Sequence, residues 1–213
     1  MKKLSFIPLL LLTLCMQQAT AQVVVPDTRT DLVFGLKAGI NGSNVWDEQG
    51  QSFRADPKVG FVGGGYLGIP IGKYLGVQPE LLFSQKGFKA TDVILNSKYT
   101  LTRTTSHIDV PVLIQFKPVE FITILGGPVY SYLLSQRNVF VWENTALERE
   151  QEFENDNIRR NRLGLMFGGD VVVAPMVIGA RAGWDLQQNN GDGSSSTPRY
   201  KNQWLQLTLG YQF

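Results

Sequence analysis

The stretch that decides the fold is Trp204-Leu-Gln-Leu-Thr-Leu-Gly-Tyr-Gln-Phe213, at the carboxyl end of the sequence. From Leu205 onward a large apolar residue occupies every second position up to Phe213, and glutamine, threonine or glycine occupies the positions between. Successive side chains of a β-strand point to opposite faces, so this period of two is typical of a strand. The pattern predicts a strand over 205–213 with one apolar and one polar face.

Seven further segments carry a strand pattern, and the connections between strands alternate in length. The eight predicted strands are 32–43, 59–69, 74–88, 99–116, 121–135, 160–173, 177–186 and 205–213. Connections after odd-numbered strands are long and polar, as over 89–98 and 136–158, whereas 70–73 and 117–120 are short turns. This asymmetry is typical of a transmembrane barrel. The sequence therefore predicts an all-β fold, an eight-stranded antiparallel up-and-down transmembrane β-barrel with long extracellular loops and short periplasmic turns.

Composition restricts the other classes of protein. The chain carries 20 lysines and arginines against 18 aspartates and glutamates, a net charge of +2, which gives no electrostatic argument for nucleic acid. After the first 21 residues no apolar run is long enough for a helical membrane span, so a membrane protein would have to be a closed barrel. A secreted lipocalin-like cup is the alternative. Such a cup would carry charges on its outer face, and the nearly uncharged apolar face of the later strands favours the membrane barrel.

The amino-terminal residues have the pattern of a secretory signal peptide. Lys2 and Lys3 precede an apolar stretch, and Ala19-Thr-Ala21 is a small-x-small site, so cleavage is expected after Ala21. We expect residues 22–31 to form a short periplasmic segment and residues 32–213 to form the barrel domain. The one cysteine, Cys15, falls inside the signal peptide, so we expect neither disulfides nor thiol chemistry in the mature chain.

Charged and polar side chains on the predicted inner face are expected to fill the lumen, since barrels of about eight strands are just filled by their own side chains. Asp170 and Arg181 stand at matching distances from the turn at Pro175 and should pair. Glu80 is expected to lie across from His107 and Asp109. The predicted lumen network comprises Lys37, Glu80, Arg103, His107, Asp109, Arg162, Asp170, Arg181 and Asp185. We expect a plugged lumen, and a narrow porin-like channel is the alternative.

Catalytic chemistry has weak support in the sequence. His107 is the single histidine, and its neighbour Ser106 must point to the opposite face of a strand, so the two cannot pair side by side. His107 and Asp109 share a face, and a buried polar cluster explains them. We expect no catalytic residue, cofactor or metal site, and a lipid-modifying outer-membrane enzyme stays open as the alternative.

Aromatic residues cluster where the predicted strands reach the periplasmic side. An aromatic girdle at this boundary is typical of membrane barrels. The predicted girdle comprises Tyr74, Phe116, Phe121, Tyr211 and Phe213. A terminal aromatic such as Phe213 also resembles the assembly signal of bacterial outer-membrane barrels. That resemblance implies an outer-membrane location and a transient partner in the barrel assembly machinery.

The third outer connection is acidic and is a candidate site for a partner. The residues concerned are Glu148, Glu150, Glu152, Glu154 and Asp156. They could dock an envelope protein or hold divalent cations that bridge lipopolysaccharide, whereas the alternative is a merely solvated loop. Val139-Phe-Val-Trp142 precedes them and is expected to extend strand five beyond the membrane, where it would offer an edge to a partner strand.

Three stretches resemble the PorT-like outer-membrane β-barrel proteins of Bacteroidetes-type bacteria. They are Phe34-Gly-Leu-Lys-Ala-Gly-Ile-Asn-Gly-Ser43, Gln78-Pro-Glu-Leu-Leu-Phe-Ser-Gln-Lys-Gly87 and His107-Ile-Asp-Val-Pro-Val-Leu-Ile114. The resemblance implies the fold and the outer membrane as location, and it brings no catalytic residues. We expect a structural or interaction protein of the cell envelope, acting in surface integrity, adhesion or assembly with an envelope or secretion complex. Outer-membrane lipid and lipopolysaccharide are its expected surroundings, and nucleic acid is not an expected partner.

Overall fold

The computed structural model describes residues 27, 29–46, 54–94, 97–142, 145–150, 159–189 and 200–213. These residues contain nine strands: β1 Val33–Trp46, β2 Arg54–Pro70, β3 Leu75–Ile94, β4 Ser97–Val119, β5 Ile122–Trp142, β6 Thr145–Glu150, β7 Asn161–Val173, β8 Met176–Asp185 and β9 Lys201–Gln212. In this part of the chain no helix is long and apolar enough to cross a membrane.

Eight of the strands close into a barrel in which each is antiparallel to its neighbours. The order is β1-β2-β3-β4-β5-β7-β8-β9, and β9 pairs back onto β1 from Gly35↔Gln212 to Trp46↔Lys201. Strand β5 pairs with β7 over Ile122–Tyr132 and with β6 over Arg137–Trp142. The predicted closed eight-stranded antiparallel barrel is confirmed.

Exposure alternates along the strands in the sense opposite to that of a soluble protein. On β9, Trp204, Gln206 and Thr208 are buried, whereas Leu205 and Tyr211 are exposed. The polar side chains therefore line the interior and the apolar ones face outward, as a lipid-facing barrel requires. This is the orientation that the alternation of the terminal stretch predicts.

The turns and the outer ends of the strands refine the predicted boundaries. The turns at the end predicted to be periplasmic are short, with β2 ending at Pro70 and β3 beginning at Leu75, and with two residues between β4 and β5 and between β7 and β8. At the outer end, β3 and β4 stay paired up to Ile94↔Ser97, so the polar loop predicted over 89–98 is wrong. A hairpin in water needs no apolar face, and its threonines favour extended backbone. Strand β5 continues to Trp142, as expected. Its residues Val139–Trp142 pair with β4 on one edge and with β6 on the other, so the free edge expected there for a partner strand is wrong.

Candidate functional site: the barrel interior and its outer hairpin

One cluster in the interior of the barrel joins four charged side chains from four different strands. Glu80 on β3 accepts hydrogen bonds from Lys37 Nζ on β1 at 2.6 Å and from Arg181 on β8 at 2.6 Å. Arg181 also donates to the two carboxylate oxygens of Asp170 on β7, at 2.9 and 3.2 Å. Gln78 Nε2 donates a further bond to Glu80 at 2.6 Å. We call Lys37, Glu80, Asp170 and Arg181 the ion quartet, in which two positive charges balance two negative ones.

Glycines make room for the ion quartet on the inner face of the sheet. Gly64 on β2 is the direct neighbour of Lys37, and a Cβ at Gly64 would come within 2.0 Å of a carbonyl oxygen of β3. Because Gly64 has no side chain, the Lys37 ammonium reaches across β2 to Glu80. Gly168 is the β7 neighbour of Arg181, and a Cβ there would lie 2.8 Å from Arg181 Cγ. The glycines of these strands thus leave the inner surface open to long charged side chains.

A second cluster lies nearer the outer end of the barrel. Lys86 Nζ on β3 is 3.0 Å from an Asp109 carboxylate oxygen, and Ser131 donates to the same carboxylate at 2.6 Å. The Lys86 ammonium also lies 3.6 Å from the centroid of a Trp204 ring, in a cation–π contact. The charge of Lys86 is therefore matched by a carboxylate on one side and an aromatic face on the other.

The third cluster joins β4, β7, β8 and β9. Arg162 donates to Asp185 at 3.0 Å, and Asn202 donates to the same carboxylate at 2.7 Å. An Arg162 nitrogen is 2.5 Å from His107 Nε2. A guanidinium can only donate, so His107 Nε2 is the acceptor and its ring is neutral in this arrangement.

Apolar side chains fill the space between the charged clusters. Met166 lies on β7 between Asp170 and Arg162, and it belongs to a buried group completed by Leu113, Leu125, Val129 and Trp204. A second buried group nearer the outer end comprises Val45, Phe88, Ala90, Leu101 and Tyr200. At the periplasmic mouth, a cavity of about 30 Å³ is lined by Arg29, Tyr66 and Gln78 among others. That volume has room for about one or two water molecules.

All nine residues predicted for the lumen network are buried in the barrel wall facing the interior, each at most 6% exposed. They are Lys37, Glu80, Arg103, His107, Asp109, Arg162, Asp170, Arg181 and Asp185. The structure divides them among separate clusters, with Arg103 donating to Asn138 at 2.9 Å nearer the outer end. The expected pair of Asp170 and Arg181 forms.

The expected position of Glu80 opposite His107 is wrong. The β4 residue His107 is paired with Ser84, and Asp109 with Leu82, so Glu80 lies nearer the periplasm. Sequence separation along one strand determines the face to which a residue points. Its position along the barrel axis relative to a residue on another strand depends on the stagger between the two strands.

Sequence reasoning missed several residues of these clusters, and Lys86 is the clearest case. Lys86 has the same strand parity as Glu80 and Ser84, which both point inward, so the alternation along β3 already carried the signal. The missed residues are Gln78, Lys86, Ser131, Asn202 and Trp204.

The residues predicted for the aromatic girdle lie at the periplasmic end and are 45–70% exposed: Tyr74, Phe116, Phe121, Tyr211 and Phe213. The Phe213 ring stacks on Phe34 with centroids 5.9 Å apart and lies 4.9 Å from the Tyr211 ring. The Phe213 amide donates to the Phe34 carbonyl at 2.8 Å. The terminal residue is thereby fixed to the first strand.

Beyond the barrel, β5 and β6 form an outer hairpin from Arg137↔Glu150 to Trp142↔Thr145. The second edge of β6 pairs with none of the strands in the described ranges. Of the acidic residues predicted as a partner or cation site, Glu148 and Glu150 lie on β6. Glu152, Glu154 and Asp156 lie outside the described residues. Those ranges contain no group of three histidine, cysteine, aspartate or glutamate residues able to hold a metal ion.

Comparison with solved structures finds chains of low sequence identity. The chain is 16% identical to Ail, the attachment invasion locus protein of Yersinia pestis, with a TM-score of 0.48, and the match covers 85% of this chain and 99% of that one. It is 13% identical to Neisserial surface protein A, with a TM-score of 0.45 and coverage of 84% and 97%. It is 13% identical to OprG from Pseudomonas aeruginosa, with a TM-score of 0.41 and coverage of 85% and 96%. No curated protein matches the sequence.

The family comparison is more direct. Residues 20–184 match the family model described as the outer membrane protein beta-barrel domain. The matched range covers most of the chain, and seven of the eight barrel strands lie wholly or almost wholly within it, in a closed barrel whose outward face is apolar. The chain therefore belongs to the outer membrane protein beta-barrel domain family and resides in the bacterial outer membrane.

Proposed function

We propose that this small barrel is a structural or interaction protein of the cell envelope that docks an extended segment of an envelope partner along β6. The observation that carries the proposal is the second edge of β6, which no described strand covers. An uncovered strand edge presents backbone donors and acceptors that an extended peptide can pair with. The resemblance to PorT-like proteins of Bacteroidetes-type bacteria supports the same role, in surface integrity, adhesion or assembly with an envelope or secretion complex.

The packing of the interior supports a plugged lumen over a porin-like channel. Leu82, Leu113 and Met166 are at most 2% exposed, and they fill the space between ion clusters of matched charge. Open aqueous channels typically need about 16 strands. We propose that the packed interior stabilises the barrel and that the outer surface binds the partner.

The surroundings of His107 support a role other than catalysis. Its Nε2 accepts from Arg162, and Ser106 points away from it on the opposite face of β4. A nucleophile and its base need to lie within hydrogen-bond reach of one another. The polar clusters hold one another in place, and the barrel works without a catalytic site in this proposal.

The geometry of the outer hairpin identifies the backbone groups that would bind the partner. Trp142 and Thr145 face each other across a connection of two residues, and such a closing pair exchanges its backbone hydrogen bonds. The amides of alternate β6 residues, starting from Ala146 and including Glu148, then point away from β5. A proline at 148 removes one outward donor and spares the hairpin.

The test uses cells carrying the full chain with a photo-crosslinking residue at position 146. Glu148→Pro and the matched Glu148→Lys are compared after isolation of native outer membranes, and heat-dependent gel migration checks that each barrel is folded. We expect a discrete crosslinked partner with the wild type and with Glu148→Lys, and its loss with Glu148→Pro. If the crosslinked partner were lost with Glu148→Lys and retained with Glu148→Pro, the strand-edge proposal would be wrong. The partner would then be bound by the acidic side chains of the hairpin. A wild-type chain without any crosslinked partner would refute the proposal.

A further inference from the structure

The lipid-facing surface carries a recess near its outer boundary. It has a volume of about 730 Å³ and lies over the outer ends of β1, β8 and β9. The residues that line it include Gly42, Trp46, Ala182, Trp184, Gln203 and Leu205, together with Asn44 and Pro57. We call it the Trp46–Trp184 groove.

Strand register explains the shape of the groove. Across the three strands, Gly42 on β1 is level with Leu205 on β9, which is level with Ala182 on β8. Because Gly42 has no side chain and Ala182 has only a methyl group, space is left on either side of Leu205. Toward the outer end, the indole rings of Trp46 on β1 and Trp184 on β8 line the two sides of the groove. The result is an apolar slot that opens toward the lipid layer.

The depth of the groove places it where acyl chains meet lipid headgroups. Gln203 is eight residues from Tyr211 of the periplasmic girdle along β9, which is about 20 Å along the membrane normal for a rise of ~3.4 Å per residue and a tilt of ~40°. Lys201 is two residues further, at about 26 Å. The apolar band of such barrels is about 25 Å tall. Lys201 therefore stands at the outer boundary, directly above the groove.

The charge at the upper end of the groove indicates the kind of lipid. The Lys201 ammonium lies 4.9 Å from the centroid of a Trp46 ring, so a cation is held at the rim of the slot. A lysine at a membrane surface attracts anionic headgroups. An apolar slot below a cation fits a lipid whose acyl chains are attached to a phosphate-bearing headgroup.

We propose that the Trp46–Trp184 groove binds the lipid A part of lipopolysaccharide, with an acyl chain against Leu205 and the indoles and a phosphate at Lys201. The outer half of the barrel faces the outer leaflet, and lipid A is the phosphorylated lipid of that leaflet. The site lies on the barrel wall, away from the hairpin edge, so it stands or falls independently of the proposed partner.

The test measures binding of purified lipid A to the full chain in detergent by native mass spectrometry. The competitors are dephosphorylated lipid A and phosphatidylglycerol. Ala182→Leu fills the groove, and Ala180→Leu makes the same change one outward position away, where the residue does not line the groove. We expect Ala182→Leu to weaken lipid A binding roughly tenfold, with Ala180→Leu close to the wild type.

A second variant tests the phosphate contact. Lys201→Gln should weaken binding of lipid A about fivefold and leave binding of dephosphorylated lipid A unchanged. Equal binding by Ala182→Leu and Ala180→Leu would overturn the proposal and leave Trp46 and Trp184 as ordinary girdle residues. Phosphatidylglycerol binding as tightly as lipid A would overturn it as well, because the occupant would then be a phospholipid.

Discussion

Arg181 and Glu80 lie 101 positions apart in sequence, yet an Arg181 nitrogen donates to the Glu80 carboxylate at 2.6 Å across the barrel interior. Glu80 is also the partner of Lys37, whose Nζ lies 2.6 Å from the other oxygen. One carboxylate therefore joins β1, β3 and β8. The first prediction follows from this shared role.

Glu80→Gln should be strongly destabilising, because Lys37 and Arg181 would then share the single carboxylate of Asp170. Removing one partner of a buried ion pair typically costs about 3–5 kcal/mol. Urea unfolding in lipid vesicles, followed by tryptophan fluorescence, measures the free energy of unfolding. The matched control is Glu120→Gln, since the Glu120 side chain is 45% exposed and its contact with Arg29 is 3.6 Å long. That change should cost about 1 kcal/mol or less, and equal effects would contradict the role of the quartet.

Gly64→Ala should destabilise the barrel by about 1–3 kcal/mol, because the added methyl group would collide with the backbone of β3. Gly72→Ala is the control, since a Cβ at Gly72 meets nothing within 4 Å. A surface change of this kind usually stays within about 0.5 kcal/mol. The same unfolding measurement compares the two variants. A Gly64→Ala barrel as stable as Gly72→Ala would show that β2 can shift away from β3.

The wild-type barrel should give no steady conductance above background in planar bilayers. Leu113, Leu125 and Met166 fill the interior between the charged clusters. A porin of 16 strands in the same bilayer serves as the positive control. Regular current steps that scale with the amount of this protein would reveal an open path and reverse the assignment of a plugged lumen.

Phe213→Ala should lower the amount of assembled protein in the outer membrane several-fold and change the stability of the refolded barrel little. The ring is 70% exposed, so it contributes little packing within the protein. Phe34→Ala is the informative control, because it removes the stacked neighbour and keeps the terminal aromatic. Surface labelling of intact cells measures assembly. Equal losses from the two variants would assign the effect to the ring contact and would argue against an assembly signal.

The segment before β1 should loosen in acid. Arg29 donates to Asp27 at 2.7 and 2.8 Å, and this hydrogen bonding holds the pKa of the Asp27 carboxyl well below its usual range. A lowered folded-state pKa stabilises the folded form above the unfolded pKa, about 3.9, and that contribution is lost as the pH falls through the folded value. Hydrogen exchange of the Arg29 amide should therefore accelerate as the pH is lowered below about 4, after correction for the intrinsic rate. Asp27→Asn should show the faster corrected rate at every pH.

The face to which a side chain points could be predicted from the sequence along the alternating strands. Its partner could be predicted only across a short turn, as for Asp170 and Arg181. Alternation along β9 gives its faces because lipid lies on one side and packed polar groups lie on the other. The height of Glu80 relative to His107 depends on the stagger between strands, which a single sequence does not contain. The outer end of β3 was missed for another reason. Lys89, Thr91 and Asp92 are polar, so no continuous apolar face marks the strand in the sequence there.

The ion quartet also favours one register of the strands over the others. Its members come from β1, β3, β7 and β8, so it is complete only when all four strands stand at the correct height. A slip of β8 by two residues keeps every side chain on its proper face, and alternation alone would not oppose it. The slip would move the Arg181 side chain about 7 Å along the strand. The guanidinium would then be buried among apolar neighbours without a carboxylate partner. The ion quartet thus destabilises those shifted strand registers that the hydrophobic alternation alone does not disfavour.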